Sequence, residues 1–205
     1  MKSYLMLLFV LPLAACTPTR QPVVPLQRSY DLEVPYTIIW YGVSEAYRYS
    51  DGGWQRDWSY DYVFDVVQRR YDTVWRSVKT LHRLHPDYDG RAGARSQTMY
   101  FEMAYVQQAQ ALHATLSSSL GSGTGVSDTA FRAQTLEIDL ADMPAMAPYN
   151  RLRITQQYRY EAGLLTETVE LFKRRDGVNT PFMKNEERAW FFLRDSLDSP
   201  PTVWR

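Results

Sequence analysis

The feature that most constrains how this chain folds is a run of mainly apolar residues at helical spacing between residues 60 and 85. Intervals of four and three alternate along it and place one stripe on an α-helix. The positions are Tyr60, Phe64, Val67, Tyr71, Val74, Val78, Leu81 and His85. Pro86 prevents the helix from continuing. Alternation of Trp58, Tyr60, Tyr62, Phe64 and Val66 favours a strand over 58–66, but the helix accounts for more residues. The spacing predicts a helix.

A second long helix is predicted over residues 95–120. Its middle is rich in Ala, Gln, Met and Leu, and Gly121 stands where a glycine commonly ends a helix. The segment 85–94 is a turn rich in Gly, Asp and Pro, so the two helices would form an antiparallel αα-hairpin. The glycine-rich segment 121–125 lacks the lysine and the spacing of a phosphate-binding loop, and it is predicted to be a flexible loop.

In two segments of the C-terminal third, the sequence pattern fits either a helix or a strand. In residues 130–140, Leu136, Ile138 and Leu140 alternate like a strand, whereas the alanine content favours a helix. Residues 149–175 carry apolar side chains on one helical face. The alternative is a β-hairpin of residues 151–160 and 164–173, but its second strand would place Glu167 on the same face as Val169 and Leu171. A short amphipathic helix is predicted over residues 185–197.

These patterns together predict a mainly α fold, a helical bundle built on the long αα-hairpin, because apolar stripes of this length must be buried. The alternative is an α+β fold with an antiparallel hairpin at 151–173. No internal repeat is visible in the sequence.

Composition excludes several classes of function. Basic and acidic side chains balance at 23 each, so nothing favours nucleic acid as a partner. Cys16 is the single cysteine, which rules out a disulfide within the chain.

The N-terminus has the three-part pattern of a secretory signal: Lys2, the uncharged apolar run of residues 4–13, and the small residues before Cys16. The apolar run is too short to span a bilayer as a helix. The segment Leu13-Ala14-Ala15-Cys16 resembles the lipobox of bacterial lipoproteins. The resemblance implies a diacylglycerol thioether on Cys16, cleavage before it and acylation of the new amino group. Two or three acyl chains would anchor the protein stably to a bilayer.

The same resemblance implies a location. Thr17 occupies the position where aspartate signals retention in the inner membrane, so the outer membrane and its periplasmic face are expected. The predicted organisation is a signal peptide (1–15), a proline-rich tether (16–28), one globular domain (29–199) and a frayed tail (200–205). At about 3.1 Å per residue, the proline-rich part of the tether would span roughly 30 Å.

Aromatic residues are concentrated before residue 62, and aromatic rings can form a face that binds glycans or partner proteins. An alternative is that they cap the core. The candidate face consists of Tyr36, Trp40, Tyr41, Tyr47, Tyr49, Trp54 and Trp58.

A weaker candidate is a metal site at His82, His85, Asp87 and Asp89, since imidazole and carboxylate groups ligate zinc, iron or manganese. The alternative is a helix end followed by a turn. Ser117–Ser119 and His113 lack the geometry of a catalytic triad. No cofactor is predicted apart from the covalent lipid.

The sequence therefore predicts a non-enzymatic binding or accessory subunit of an envelope protein complex, held to the lipid bilayer by its acyl anchor. Binding of peptidoglycan or another glycan through residues 30–62 is the alternative, and a metal-dependent or hydrolytic enzyme comes third. Lipid or hydrophobic-ligand carriage is also conceivable, because Met99 and Met103 are adaptable wall material for a cavity.

Overall fold

A computed structural model describes residues 36–71, 73–140 and 148–194. Within them the chain is almost entirely β-structure, with two short 3-10 turns at Trp58–Tyr60 and Tyr160–Ala162. The strands are β1 (Tyr36–Ser50), β2 (Gly53–Arg56), β3 (Tyr62–Arg70), β4 (Val74–Arg83), β5 (Ser96–Gln108), β6 (Ala111–Ser118), β7 (Gly121–Asp128), β8 (Ala133–Leu140), β9 (Arg151–Arg159), β10 (Leu164–Arg175) and β11 (Val178–Arg194). No helix in this part of the chain is long and apolar enough to cross a membrane.

The sheet closes on itself as a ten-stranded antiparallel barrel. From β3 onward each strand pairs with the next in sequence, β3 pairs with β1, and β11 returns to β1. The closing register runs from Thr37↔Arg194 to Arg48↔Met183. The short strand β2 pairs with the far end of β1 and makes a hairpin beyond the barrel wall.

Alternation along each strand separates the inside of the barrel from the outside. In β6, Leu112, Ala114 and Leu116 are buried while His113 and Thr115 are exposed. Burying one such leucine stabilises the fold by about 1.5–3 kcal/mol relative to an exposed one. The barrel interior is therefore the core of the described structure.

The two ends of the barrel differ. The first residue of β1 and the last of β11 lie at one end, together with the turns that follow β3, β5, β7 and β9; we call this the terminal end. The opposite end carries the β1–β2 hairpin and the segment 84–95 between β4 and β5; we call it the loop end.

The prediction of a mainly α helical bundle is wrong, and so is the αα-hairpin. Its two predicted helices correspond to strands β3 to β6. The apparent helical stripe mixes residues from both faces of the wall: Phe64 and Leu81 are buried inside, whereas Val67 and Val78 pair with each other and border an outer groove. The true period of two was hidden because several inward positions are polar, among them Gln68 and Lys79.

The strand alternatives account better for the C-terminal third. Residues 130–140 form β8, and residues 151–173 form the hairpin of β9 and β10 with Arg159 opposite Leu164. The α+β class is nevertheless wrong, because the rest of the described chain is β-structure as well. Glu167 does share the inner face with Leu165 and Leu171, and a buried lysine described below balances its charge. The predicted helix over 185–197 is strand β11 in its described part.

The signal peptide, the tether and the tail 200–205 all lie outside the described residues. The predicted domain 29–199 is described only in the three ranges given above.

Residues 121–125, predicted to be a flexible loop, belong to strand β7. Its glycines let β7 and β8 approach closely, since a β-carbon at Gly123 would lie 1.9 Å from the carbonyl oxygen of Glu137. A β-carbon at Gly125 would lie 2.4 Å from Leu136 Cδ2. Backbone atoms cannot move aside as a side chain can, so position 123 requires glycine.

We expect Gly123→Ala to lower the free energy of unfolding by about 2–4 kcal/mol, because the methyl group forces β7 away from β8. Gly53→Ala is the matched control: nothing lies within 4 Å of a β-carbon there. Its effect should stay within about 1 kcal/mol of the parent. Urea denaturation of the two variants measures the difference, and equal stabilities would contradict the close approach.

Candidate functional site

A cavity of about 120 Å³ lies inside the barrel. Its wall is mainly aliphatic, aromatic and thioether, and all three methionines of the described residues, Met99, Met103 and Met183, line it. Other apolar lining residues are Trp40, Phe64, Val66, Leu136, Leu152, Ile154, Leu165, Val169 and Leu171. Cavities of this size hold a molecule about as large as benzene. Methionine walls adapt to the shape of what they enclose.

A buried ion cluster borders the cavity through Lys79, Glu167 and Tyr62. Together with Glu187 we call these residues the interior cluster. Lys79 Nζ donates to Glu167 Oε1 at 2.9 Å and to Glu187 Oε2 at 2.6 Å. The hydroxyl of Tyr62 donates to Glu187 Oε1. The four residues come from β4, β10, β11 and β3, so only the closed barrel brings them together.

The electrostatics of the cluster follow from two carboxylates sharing one ammonium group. Burial works against the charge of Lys79, but Glu167 and Glu187 outweigh burial and raise the pKa of Lys79. Burial also raises the pKa of Glu187 to about 7, against the attraction of Lys79 and with the repulsion of Glu167. Lys79 therefore stays protonated near neutral pH and is not a nucleophile, whereas Glu187 can exchange a proton there.

Amide side chains extend the polar contacts from this cluster across the barrel. Gln156 donates to Glu167 and accepts from the hydroxyl of Tyr158 at 3.0 Å. Gln134 donates to Gln156 and accepts from the Tyr105 hydroxyl at 2.8 Å. Because each of these buried groups has a partner, the network holds the side chains of the cavity wall in fixed orientations.

The terminal end of the barrel is plugged by aromatic rings. The ring of Phe131 lies 4.1 Å from that of Trp75 and 4.9 Å from that of Tyr105. Arg70 stacks over Trp75 at 3.7 Å, and its Nε donates to Gln68. Phe131 has φ +52°, a left-handed conformation that costs a bulky residue about 1–2 kcal/mol. The packing of the plug therefore opposes this local strain.

The loop end is covered by the segment 84–95. Tyr88 and Ala92 of this loop are buried, and Asp89 Oδ1 accepts from the Tyr60 hydroxyl at 2.5 Å. Arg83 holds the loop from beneath: its Nη1 donates to the carbonyl of Ala94 at 2.9 Å and its Nη2 to that of Ala92 at 3.0 Å. Ala92 and Arg83 both line the cavity, so the loop forms its cover.

The structure divides the predicted aromatic face. Trp40 is buried inside the barrel, Tyr41 lies outside on the wall, and the side chain of Tyr36 is outside the described part. The other four predicted residues, Tyr47, Tyr49, Trp54 and Trp58, surround the β1–β2 hairpin.

Two cations interleave with those four rings. Arg56 lies 4.2 Å over the ring of Trp58, and Lys184 lies 4.7 Å over that of Tyr47. Trp58 is 66% exposed. A smaller aromatic surface therefore remains on this hairpin.

The predicted metal candidates do not converge. His82 is exposed on β4, with its Nδ1 3.0 Å from the hydroxyl of Ser96. Asp89 is held by Tyr60 and Arg91, while His85 and Asp87 contact each other at the loop surface. Among the described residues, no group of three or more His, Cys, Asp or Glu side chains could hold a metal ion.

Sequence reasoning missed the residues that matter most here, namely Lys79, Glu167, Glu187, Gln134 and Arg83. One signal was available: each has an apolar residue two positions away on at least one side, as Lys79 has Leu81. In a strand, residues two positions apart share a face, so a polar residue at this spacing from apolar ones faces the interior with them. A charge that faces the interior requires a partner. Met99 and Met103, which the sequence offered as possible wall material for a cavity or as ordinary core residues, line the cavity between strands rather than helices.

Because the folded protein binds the Glu187 proton more tightly than the unfolded chain does, stability should fall as pH rises from the ordinary glutamate value of about 4.3 toward 7. We expect the thermal midpoint to drop by roughly 5 °C between pH 5 and 8. Glu187→Gln should flatten that slope. The exposed neighbour Glu186 provides the control, since Glu186→Gln should leave the slope intact. A midpoint that rises across this interval would contradict a raised pKa at Glu187.

No protein-family model matches this chain, and no curated protein is significantly similar to it.

Proposed function

We propose that the barrel binds a small, mainly apolar molecule in its interior cavity. The observation that carries the proposal is the cavity itself: about 120 Å³ of space bordered by apolar side chains, with a few polar groups converging on it. Binding sites for small molecules have this composition, apolar walls with a few placed polar groups. A β-barrel is compatible with the binding role predicted from sequence.

Binding fits the interior better than catalysis does. Lys79 is neutralised by two carboxylates, and Glu187, the group with a pKa near neutrality, is not among the residues that line the cavity. The described polar groups are therefore suited to orienting and holding a bound molecule rather than to reacting with it.

The resemblance to a lipobox supports a cellular location for this binding role. With Cys16 acylated, the protein would sit on the periplasmic face of the outer membrane, as an accessory subunit next to an envelope partner. β1 begins at the terminal end, so the tether would join the barrel at its plugged end. The loop end and its cover would then face away from the anchor, toward the partner or the source of the ligand.

Cavity binding is tested by ¹³C-methyl NMR of the methionines, because Met99, Met103 and Met183 all line the cavity. Titration with toluene or 1-hexanol should shift these three signals, with a dissociation constant of roughly 1 mM or below. Val66→Phe, which points a larger side chain into the cavity, should abolish the shifts.

Val63→Phe is the matched control, the same substitution on the same strand at a position that is exposed outside. It should bind like the parent. Unshifted methionine signals in the parent protein at saturating probe would refute the proposed function.

Lipid anchoring has its own test. Metabolic labelling with an alkyne-palmitate should tag the full-length protein, which should sediment with outer membranes. Cys16→Ala removes the acceptor thiol, so we expect loss of both the label and the sedimentation. Full sedimentation of the variant would contradict an anchor at Cys16.

Glycan binding has less support. The hairpin surface keeps only four of the seven predicted aromatic residues, and Trp54 and Tyr49 pack against each other at 5.2 Å. Cations already lie over three of the rings: Tyr47, Trp54 and Trp58. The interior cavity is therefore the better-supported site.

A further inference from the structure

Among the described residues, one cation at the loop end of the cavity has no charge partner. Arg83 is 5% exposed, lies on the inner face of β4 and lines the cavity near Ala92 and Gln97. Both buried carboxylates, Glu167 and Glu187, are held by Lys79. Among the described residues, no ion pair includes Arg83.

The hydrogen bonds of Arg83 leave part of its guanidinium unsatisfied. Nη1 and Nη2 each donate to one carbonyl oxygen of the covering loop. Nε is buried and has no hydrogen-bond partner in the part of the chain that the structure describes. A guanidinium has five N–H donors, so donors remain beyond the two that hold the loop.

The orientation of this group is fixed before any ligand arrives. The two loop carbonyls hold one part of it, and Cζ lies 4.8 Å from the ring of Tyr88 and 5.6 Å from that of Tyr62. A guanidinium fixed in this way loses little conformational freedom when it binds an anion.

A buried cation without a counter-charge is unfavourable, and arginine does not escape by losing its proton near neutral pH. Burial lowers the pKa of Arg83, with the tyrosines Tyr88, Tyr62 and Tyr60 acting in the opposite direction. An anion in the cavity would remove this penalty.

We propose that the ligand carries a carboxylate, and that Arg83 receives this group at the loop end while the apolar remainder lies among the methionines. This inference rests on the proposed function and names the chemical class of its ligand. A carboxylate matches the paired donors on one edge of a guanidinium. The doubly charged phosphate group fits less well, because Lys79, the other cation lining the cavity, is neutralised.

The test compares two probes of nearly the same size and shape, the charged hexanoate and the neutral hexanamide, by the same methionine-methyl titration near neutral pH. We expect the parent protein to bind hexanoate at least about tenfold more tightly, as hydrogen bonds to a charged group provide. Arg83→Met should remove this preference while hexanamide still binds.

Two further variants separate the effect of the Arg83 charge from the effect of the covering loop. Arg83→Lys keeps the charge but loses the paired donors and should retain only part of the preference. Tyr60→Phe loosens the loop by removing the hydrogen bond to Asp89, while both carbonyl bonds of Arg83 remain, so its preference should match that of the parent. If Arg83→Met does not fold, the preferences of the parent protein and of Arg83→Lys decide.

Equal binding of the two probes by the parent protein, or tighter binding of the amide, would overturn the carboxylate proposal and leave the apolar cavity standing. A preference undiminished in both Arg83 variants would also overturn it. If neither hexanoate, hexanamide nor toluene shifts the methionine signals, the proposed function itself has failed.

Discussion

The pairing of β1 with β11 is the constraint on which the rest of the structure depends. It joins the two ends of the described chain through a register of twelve residue pairs and leaves the barrel without an open edge. Closure also creates an inside, which must then be filled or occupied. Packing fills the terminal end, through Phe131 and its neighbouring rings, and a cavity remains toward the loop end.

Closure of the barrel also determines how much it costs to bury each polar group inside. Water is largely excluded, so an inward charge must find its partner across the barrel. Lys79 meets this condition with partners 88 and 108 residues away along the chain. Arg83 meets it only in part, through two loop carbonyls. This contrast within one interior distinguishes a structural cluster from a group available to a ligand.

The same polar residues explain why the fold was hard to predict. A barrel wall shows a period of two only where its inner face is apolar, and in β3 and β4 that face includes Gln68, Ser77 and Lys79. In β10, Glu167 made a strand look unfavourable because it places a charge on an otherwise apolar face. In β7, glycines that suggested a loop serve close contact between strands. The hairpin at 151–173 and the alternation in β8 were alternatives to a helix in the sequence, because the inner faces of these strands have fewer polar interruptions than those of β3 and β4.

The sequence by itself determined the local features: the neutral charge balance, the absence of any disulfide within the chain and the lipobox-like segment, because these depend on composition or on residues adjacent in the chain. Only the tertiary structure decided what those residues enclose. The cavity, the interior cluster and the buried Nε donor of Arg83 each depend on strands far apart in sequence, and their register is fixed when β11 meets β1. Helix and strand compete locally on nearly equal terms, and it is this closure that resolves the competition.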